Sequence, residues 1–230
     1  MFYRGSTSGQ RQAISIIMAL GRFISFEGSE GCGKSTQIKL LCKRLQGIGH
    51  EVLLTREPGG TDLGECIREL LQHAPEGENM TPESELLLFA ASRAQLVREV
   101  IKPKIDSGAY VLADRFHDST TIYQGIARGL GGQIVSLMND FAIGECLPDC
   151  TFLLDINVRE GRERVRARSG GKEDRMEREP DSFFEEVRSG YLELANNNLE
   201  RFVVLDAPKT AQELELEIWD NLDKKYGVGS

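Results

Sequence analysis

The chain has 230 residues, 40% hydrophobic and 28% charged, with a formal net charge of -8. That length can bury one sizeable core, and so acidic a balance excludes general binding to nucleic acid or anionic membrane, which rests on cationic surface. Any phosphate site must be made basic locally. Five cysteines, at positions 32, 42, 66, 146 and 150, are an odd number at irregular spacing. They predict free thiols in a reducing, cytoplasmic setting rather than a disulfide framework.

Residues 1–21, MFYRGSTSGQRQAISIIMALG, carry Arg4 and Arg11 and no acid, and the apolar run ISIIMAL is too short to span a bilayer. They are read as a disordered extension ahead of a single domain, 22–230. From Arg22 onward short apolar runs alternate with longer amphipathic ones, the order of a parallel sheet wrapped by crossover helices. Strands are predicted near 22–27, 51–55, 109–113, 151–155 and 202–206. The first helix carries Ile38, Leu41, Leu45 and Ile48 at steps of three and four residues. Further helices are predicted near 61–72, from Thr81-Pro82 (an N-cap and a first-turn proline) to about Lys102, and near 133–144, 181–197 and 210–225.

Between the first strand and the first helix stands Gly28-Ser29-Glu30-Gly31-Cys32-Gly33-Lys34-Ser35, followed by Thr36. This is a P-loop in the right context, and it predicts a nucleotide site over these nine positions. Lys34 reaches the β/γ-phosphates, Gly33 lets the backbone close on them, and Ser35 places its hydroxyl on Mg²⁺. Cys32 is a small residue beside the phosphates. Glu30 is out of place, since an acid opposes an anion.

A nucleotide loop leaves a phosphoryl-transferring kinase and a nucleotide-hydrolysing ATPase or switch both open; the Asn-Lys-x-Asp signature of guanine switches is missing. A kinase needs a second site with arginines for its acceptor. Arg56 follows the second strand in TREPGGT and Arg115 follows the third in Asp114-Arg115-Phe116, both at carboxyl ends, where open α/β sheets hold ligands. Phe89 and Arg93, four apart, share a helix face. Each alone reads as core or as solvated charge; together they outline a site.

These segments, FEGSEGCGKST, TREPGGT, LLFAASRAQLV, ADRFHDSTTIYQG and RVRARSGGKEDRMEREPDSFFEEVRSGYLELA, resemble bacterial thymidylate kinases from about Arg22 to Ala207. The resemblance implies a P-loop kinase fold: α/β, a five-stranded parallel sheet flanked by helices, with an arginine-rich lid at about 164–180. It implies phosphorylation of dTMP to dTDP with ATP and Mg²⁺ in a homodimer; another nucleoside monophosphate kinase is the alternative. In this family Phe89 would stack on thymine and Arg93 would meet a base carbonyl. Arg56 and Arg115 would grip the dTMP phosphate, Ser119 and Thr120 the base edge, and Tyr123 and Gln124 the deoxyribose. Pro58 would fix its turn, a cis bond being one way to do so. Glu30 would then serve the acceptor side, with Glu27 able to join its network. Because the P-loop lacks an arginine, the cation meeting the phosphoryl group in flight must come from the lid. Catalysis is assigned to Lys34 and Arg115 with Arg164, Arg166 and Arg168, which cannot all share one helical face; that helix must end near Ser169-Gly170-Gly171.

Overall fold

Alternation along strand β1 (Arg22–Glu27) divides the core between the two faces of a sheet. Ile24 and Phe26 pack with Leu41 and Leu45 of helix α1 (Lys34–Gly47) and with Ile218 and Trp219 of the last helix, whereas Phe23 turns to the other face, beside Leu96, Ile101 and Phe116. Strand β3 (Tyr110–Asp114) repeats the division, with Leu112 on the first face and Val111 and Ala113 on the second. A strand covered on both faces needs no polar alternation, so the first four residues of β3, YVLA, form a continuous apolar run.

In the computed structural model, which describes residues 21–170 and 173–229, these strands join β2 (Val52–Arg56), β4 (Cys150–Asp155) and β5 (Phe202–Asp206). All pairings are parallel, as the sequence led us to expect, and the strands stand in the order β2-β3-β1-β4-β5. The extension expected at 1–21 lies, up to residue 20, outside the described residues. Strands β2 and β3 run one residue beyond the sequence reading, so that Arg56 pairs with Asp114 at their carboxyl ends.

Helix α2 (Asp62–Gln72) is capped by Thr61, and α3 (Pro82–Leu96) by Thr81 with Pro82 in its first turn. The single helix expected to reach Lys102 instead widens into a π turn, Val97–Ile101, before α4 (Lys102–Asp106). Pro103 has no N–H, and its ring crowds the carbonyl four residues earlier, which a widened turn relieves. Helix α5 (His117–Thr120) runs into a second π turn, Thr121–Ala127, which the sequence reading did not contain. There follow α6 (Gly132–Ile143), α7 (Val158–Ser169), α8 (Asp181–Asn196) and α9 (Ala211–Tyr226). Helix α7 stops where expected, at Gly170, whose φ of 60° favours glycine. A separate apolar cluster of Tyr123, Val158, Met176, Phe183, Val187 and Tyr191 fastens the second π turn and the start of α7 to α8. No helix among the described residues is long and apolar enough to cross a membrane. All five cysteines are unpaired.

Candidate active site

The loop after β1 turns at Gly28, Gly31 and Gly33, with φ of 131°, 75° and 100°. Gly33 begins α1 with no side-chain cap, and the first turn has no acid, so the positive end of the helix stays open to an anion. Lys34 is only 8% exposed; its Nζ donates to the carbonyl oxygens of Gly28 and Ser29, both at 3.0 Å, and lies 3.4 Å from Cys32 Sγ. Gly28, Ser29 and Cys32 thus form the back of the loop. Glu30, Gly31, Gly33, Lys34, Ser35 and Thr36 form one wall of a cavity of about 550 Å³.

The same cavity is lined by Arg56, Pro58, Phe89, Arg115, Ser119, Thr120, Tyr123 and Gln124. Glu57–Pro58 is a cis peptide. Arg56 pairs with Glu65 at 2.7 Å and stays half exposed. Arg115 is the non-glycine residue with positive φ among the described residues, at 71°, a conformation kept only where surroundings enforce it. Its N–H donates to Phe26 O at 3.0 Å. Its guanidinium donates to Ser119 Oγ (3.1 Å), Tyr191 Oη (3.3 Å), Tyr123 Oη (3.2 Å) and Glu30 Oε1 (2.8 Å). Burial alone would loosen its proton, but Tyr123, Glu30 and Tyr191 outweigh that and raise Arg115 well above its ordinary range. Glu30, the acid that looked misplaced, therefore turns to Arg115 and also accepts from Tyr123 Oη at 2.9 Å. Glu27 lies deeper, wholly buried, and is pushed up to about 7, first by burial and then by the Asp118 carboxylate.

Two expected residues stand elsewhere. Arg93 is 1% exposed and lies behind the cavity wall: Nε donates to Glu57, NH1 to Asn139 Oδ1 at 2.9 Å and NH2 to Thr120 Oγ1 at 2.8 Å. The buried guanidinium takes the Glu57 carboxylate within reach and meets the cavity through Thr120, which lines it. Arg166 faces away, toward Glu173 at 3.8 Å, while Arg164 and Arg168, one turn apart, line the cavity. The sequence reading missed Glu57, Arg68, Gln72, Asp174 and Glu177 in the lining. It also missed Asp114, whose Oδ2 accepts from Ser35 Oγ at 2.7 Å; an acid closing a strand beside the P-loop strand was the available signal. A hydroxyl and a carboxylate are hard oxygen donors, the set that suits Mg²⁺ arriving with nucleotide phosphates.

The family model described as thymidylate kinase matches residues 26–218, from the end of β1 into α9. The chain belongs to the thymidylate kinase family. Thymidylate kinases of Syntrophotalea carbinolica and Halothermothrix orenii are each 48% identical over 201 residues, covering 86% of this chain and 93% and 95% of theirs. The crystal structure of thymidylate kinase from Ehrlichia chaffeensis is 34% identical and superposes with a TM-score of 0.71, covering 88% of this chain and 98% of that one. The thymidylate kinase match therefore takes in both sets of lining residues.

Proposed function

We propose that this chain transfers the γ-phosphoryl group of ATP to the 5′-phosphate of dTMP, yielding dTDP for dTTP synthesis. The observation that carries this reading is that Lys34 and Arg115 line one cavity, beside an open helix N-terminus. Lys34 moves onto the β/γ-phosphates. Arg115 and Arg56 hold the acceptor phosphate in line, and Phe89 offers its ring to the base. Thr120, Ser119 and Gln124 meet the nucleoside edge, with Arg93 backing Thr120; Tyr123 crowds the 2′ position. A phosphate acceptor is already ionised at neutral pH, so no general base is needed. Ser35 and Asp114 would hold Mg²⁺, which when bound neutralises charge between the β and γ oxygens. Segment 164–180 of the single domain serves as the lid, Arg164 and Arg168 supplying the cations; Gly171 and Lys172 within it lie outside the described residues.

The protein works as a homodimer in the cytoplasm. Ile134, Leu137 and Phe141 of α6, exposed by 54%, 62% and 76%, recur at three- and four-residue steps and offer an apolar stripe to a second copy. Five unpaired thiols suit a reducing compartment.

Coupled ADP release with dTMP, dUMP, dCMP, AMP and GMP in turn tests the reading. The highest kcat/KM is expected with dTMP. Faster turnover of AMP or GMP, or ATP hydrolysis indifferent to acceptor, would overturn it.

A further inference from the structure

Three oxygens from three elements touch one another behind the acceptor wall. Glu27 Oε2, at the end of β1, lies 2.7 Å from Ser119 Oγ on α5 and 2.7 Å from Tyr191 Oη on α8, and the two hydroxyls are 2.8 Å apart. Three edges of hydrogen-bond length need three protons. The two hydroxyls supply only two, so with Glu27 ionised one edge sets lone pair against lone pair. With Glu27 neutral the ring closes, each oxygen donating once and accepting once within it. Glu27 Oε1 keeps the Phe116 N–H, at 2.7 Å, in either state. Arg115 NH1 donates into the remaining lone pairs of Ser119 and Tyr191. Glu27 thereby fixes both the peptide that follows Arg115 and the two hydroxyls that orient its guanidinium.

We propose that Glu27 is a positioning residue for Arg115 and takes up one proton from solvent when the phosphate dianion of the acceptor nucleotide binds there. This rests on the acceptor-site reading given above. Asp118 on α5, Arg115 at the end of β3 and Tyr191 on α8 act on Glu27 directly; Arg115 in turn meets Glu30 in the P-loop and Tyr123 in the π turn, His117 lies beside Asp118, and Arg201 is already committed to Asp118 at 2.6 and 2.8 Å. Two carboxylates, Glu27 and Glu30, then share Arg115 with an incoming dianion. A proton relieves that crowding most readily on the carboxylate with no exposure and a ring that accommodates it. Burial and Asp118 already hold Glu27 near the point where this proton is exchanged at neutral pH.

Calorimetry of dTMP binding near pH 7.5–8, in two buffers of different ionisation heat, decides it. A phosphate monoester is a dianion there, its second pKa being about 6, so the nucleotide itself exchanges little. The wild-type protein is expected to take up close to one proton per dTMP, and its affinity to fall by up to about tenfold per pH unit between about pH 7 and pH 8.5. Glu27→Gln should bind without proton exchange and without that pH dependence. Equal heats in both buffers for the wild type, or uptake that persists in Glu27→Gln, would overturn the proposal. Should Glu27→Gln not fold, the infrared difference spectrum of wild-type protein with and without dTMP must show a new neutral-carboxyl C=O band, and its absence overturns the proposal equally. Unchanged dTMP binding in Arg115→Ala defeats the acceptor-site reading first and the proposal with it; normal Arg115 dependence without proton uptake defeats the proposal alone.

Discussion

Gly31 and Gly161 meet backbone to backbone: a Cβ on Gly161 would stand 2.7 Å from the Glu30 carbonyl oxygen, and one on Gly31 would run into the Gly161 carbonyl oxygen. Helix α7 is thus seated on the apex of the P-loop, with Arg164 NH1 at 3.5 Å from Gly31 O. Gly161→Ala should tilt the seat by a fraction of an ångström and carry Arg164 and Arg168 with it. We expect kcat to fall about tenfold or more, with dTMP affinity near normal, in steady-state kinetics and equilibrium binding. An unchanged kcat would mean that this seating is irrelevant to turnover.

The arginines of α7 divide by direction. Arg164→Ala and Arg168→Ala should each lower kcat more than dTMP affinity, as expected for groups that act on the phosphoryl group in flight. Arg166→Ala should leave both unchanged. The reverse pattern would place the cation on the outward face.

Lys34→Ala removes the ammonium now held among the loop carbonyls. A loss of about a hundredfold or more in kcat is expected. Retention of wild-type kcat would contradict the nucleotide assignment.

Asp114→Asn keeps the size of the side chain and removes its charge beside Ser35. The Mg²⁺ concentration for half-maximal rate should rise by about tenfold or more while dTMP affinity holds. A titration that superposes on the wild type would remove Asp114 from the metal site.

His117 is buried with no partner for Nδ1, and burial pushes it down to about 4 from 6.5. Its contribution to stability is therefore present above pH 6.5 and lost as pH falls toward 4. Glu27, raised from 4.5 to about 7, works the other way: its contribution is present below pH 4.5 and lost as pH rises through 7. The two slopes oppose each other between pH 4.5 and 6.5. His117→Phe should leave the Glu27 slope unopposed, so the variant gains stability relative to wild type on acidification, measured by urea midpoints at a series of pH values. Parallel curves would show that His117 is not buried neutral.

What the sequence made legible was local. Eight contiguous residues build the phosphate loop, and Arg56 and Arg115 announce themselves as cations at strand ends. The Ser35–Asp114 contact joins residues 79 apart and has no local mark. Phe89 and Arg93 share a face, as their spacing says, but a carboxylate 36 residues away in sequence, Glu57, draws the guanidinium behind the wall. Periodicity set Arg166 apart from Arg164 and Arg168, which lie one turn apart; which of the two faces lines the cavity was decided by how α7 rests on Gly31. The π turns leave no trace in composition because they answer to packing and to Pro103.

The strand order β2-β3-β1-β4-β5 arranges reagents as well as strands. Arg56 and Arg115 project from one side of the central strand and the arginines of α7 follow the strand on its other side, at intervals of about 4.8 Å per strand. On the proposed reading, the order across the sheet would be acceptor arginines, phosphate loop, lid arginines. That order is written in the connectivity of the chain. Changes in the loop after β2 would then alter the acceptor side first, whereas changes after β3 also reach the phosphate loop through the Arg115–Glu30 contact.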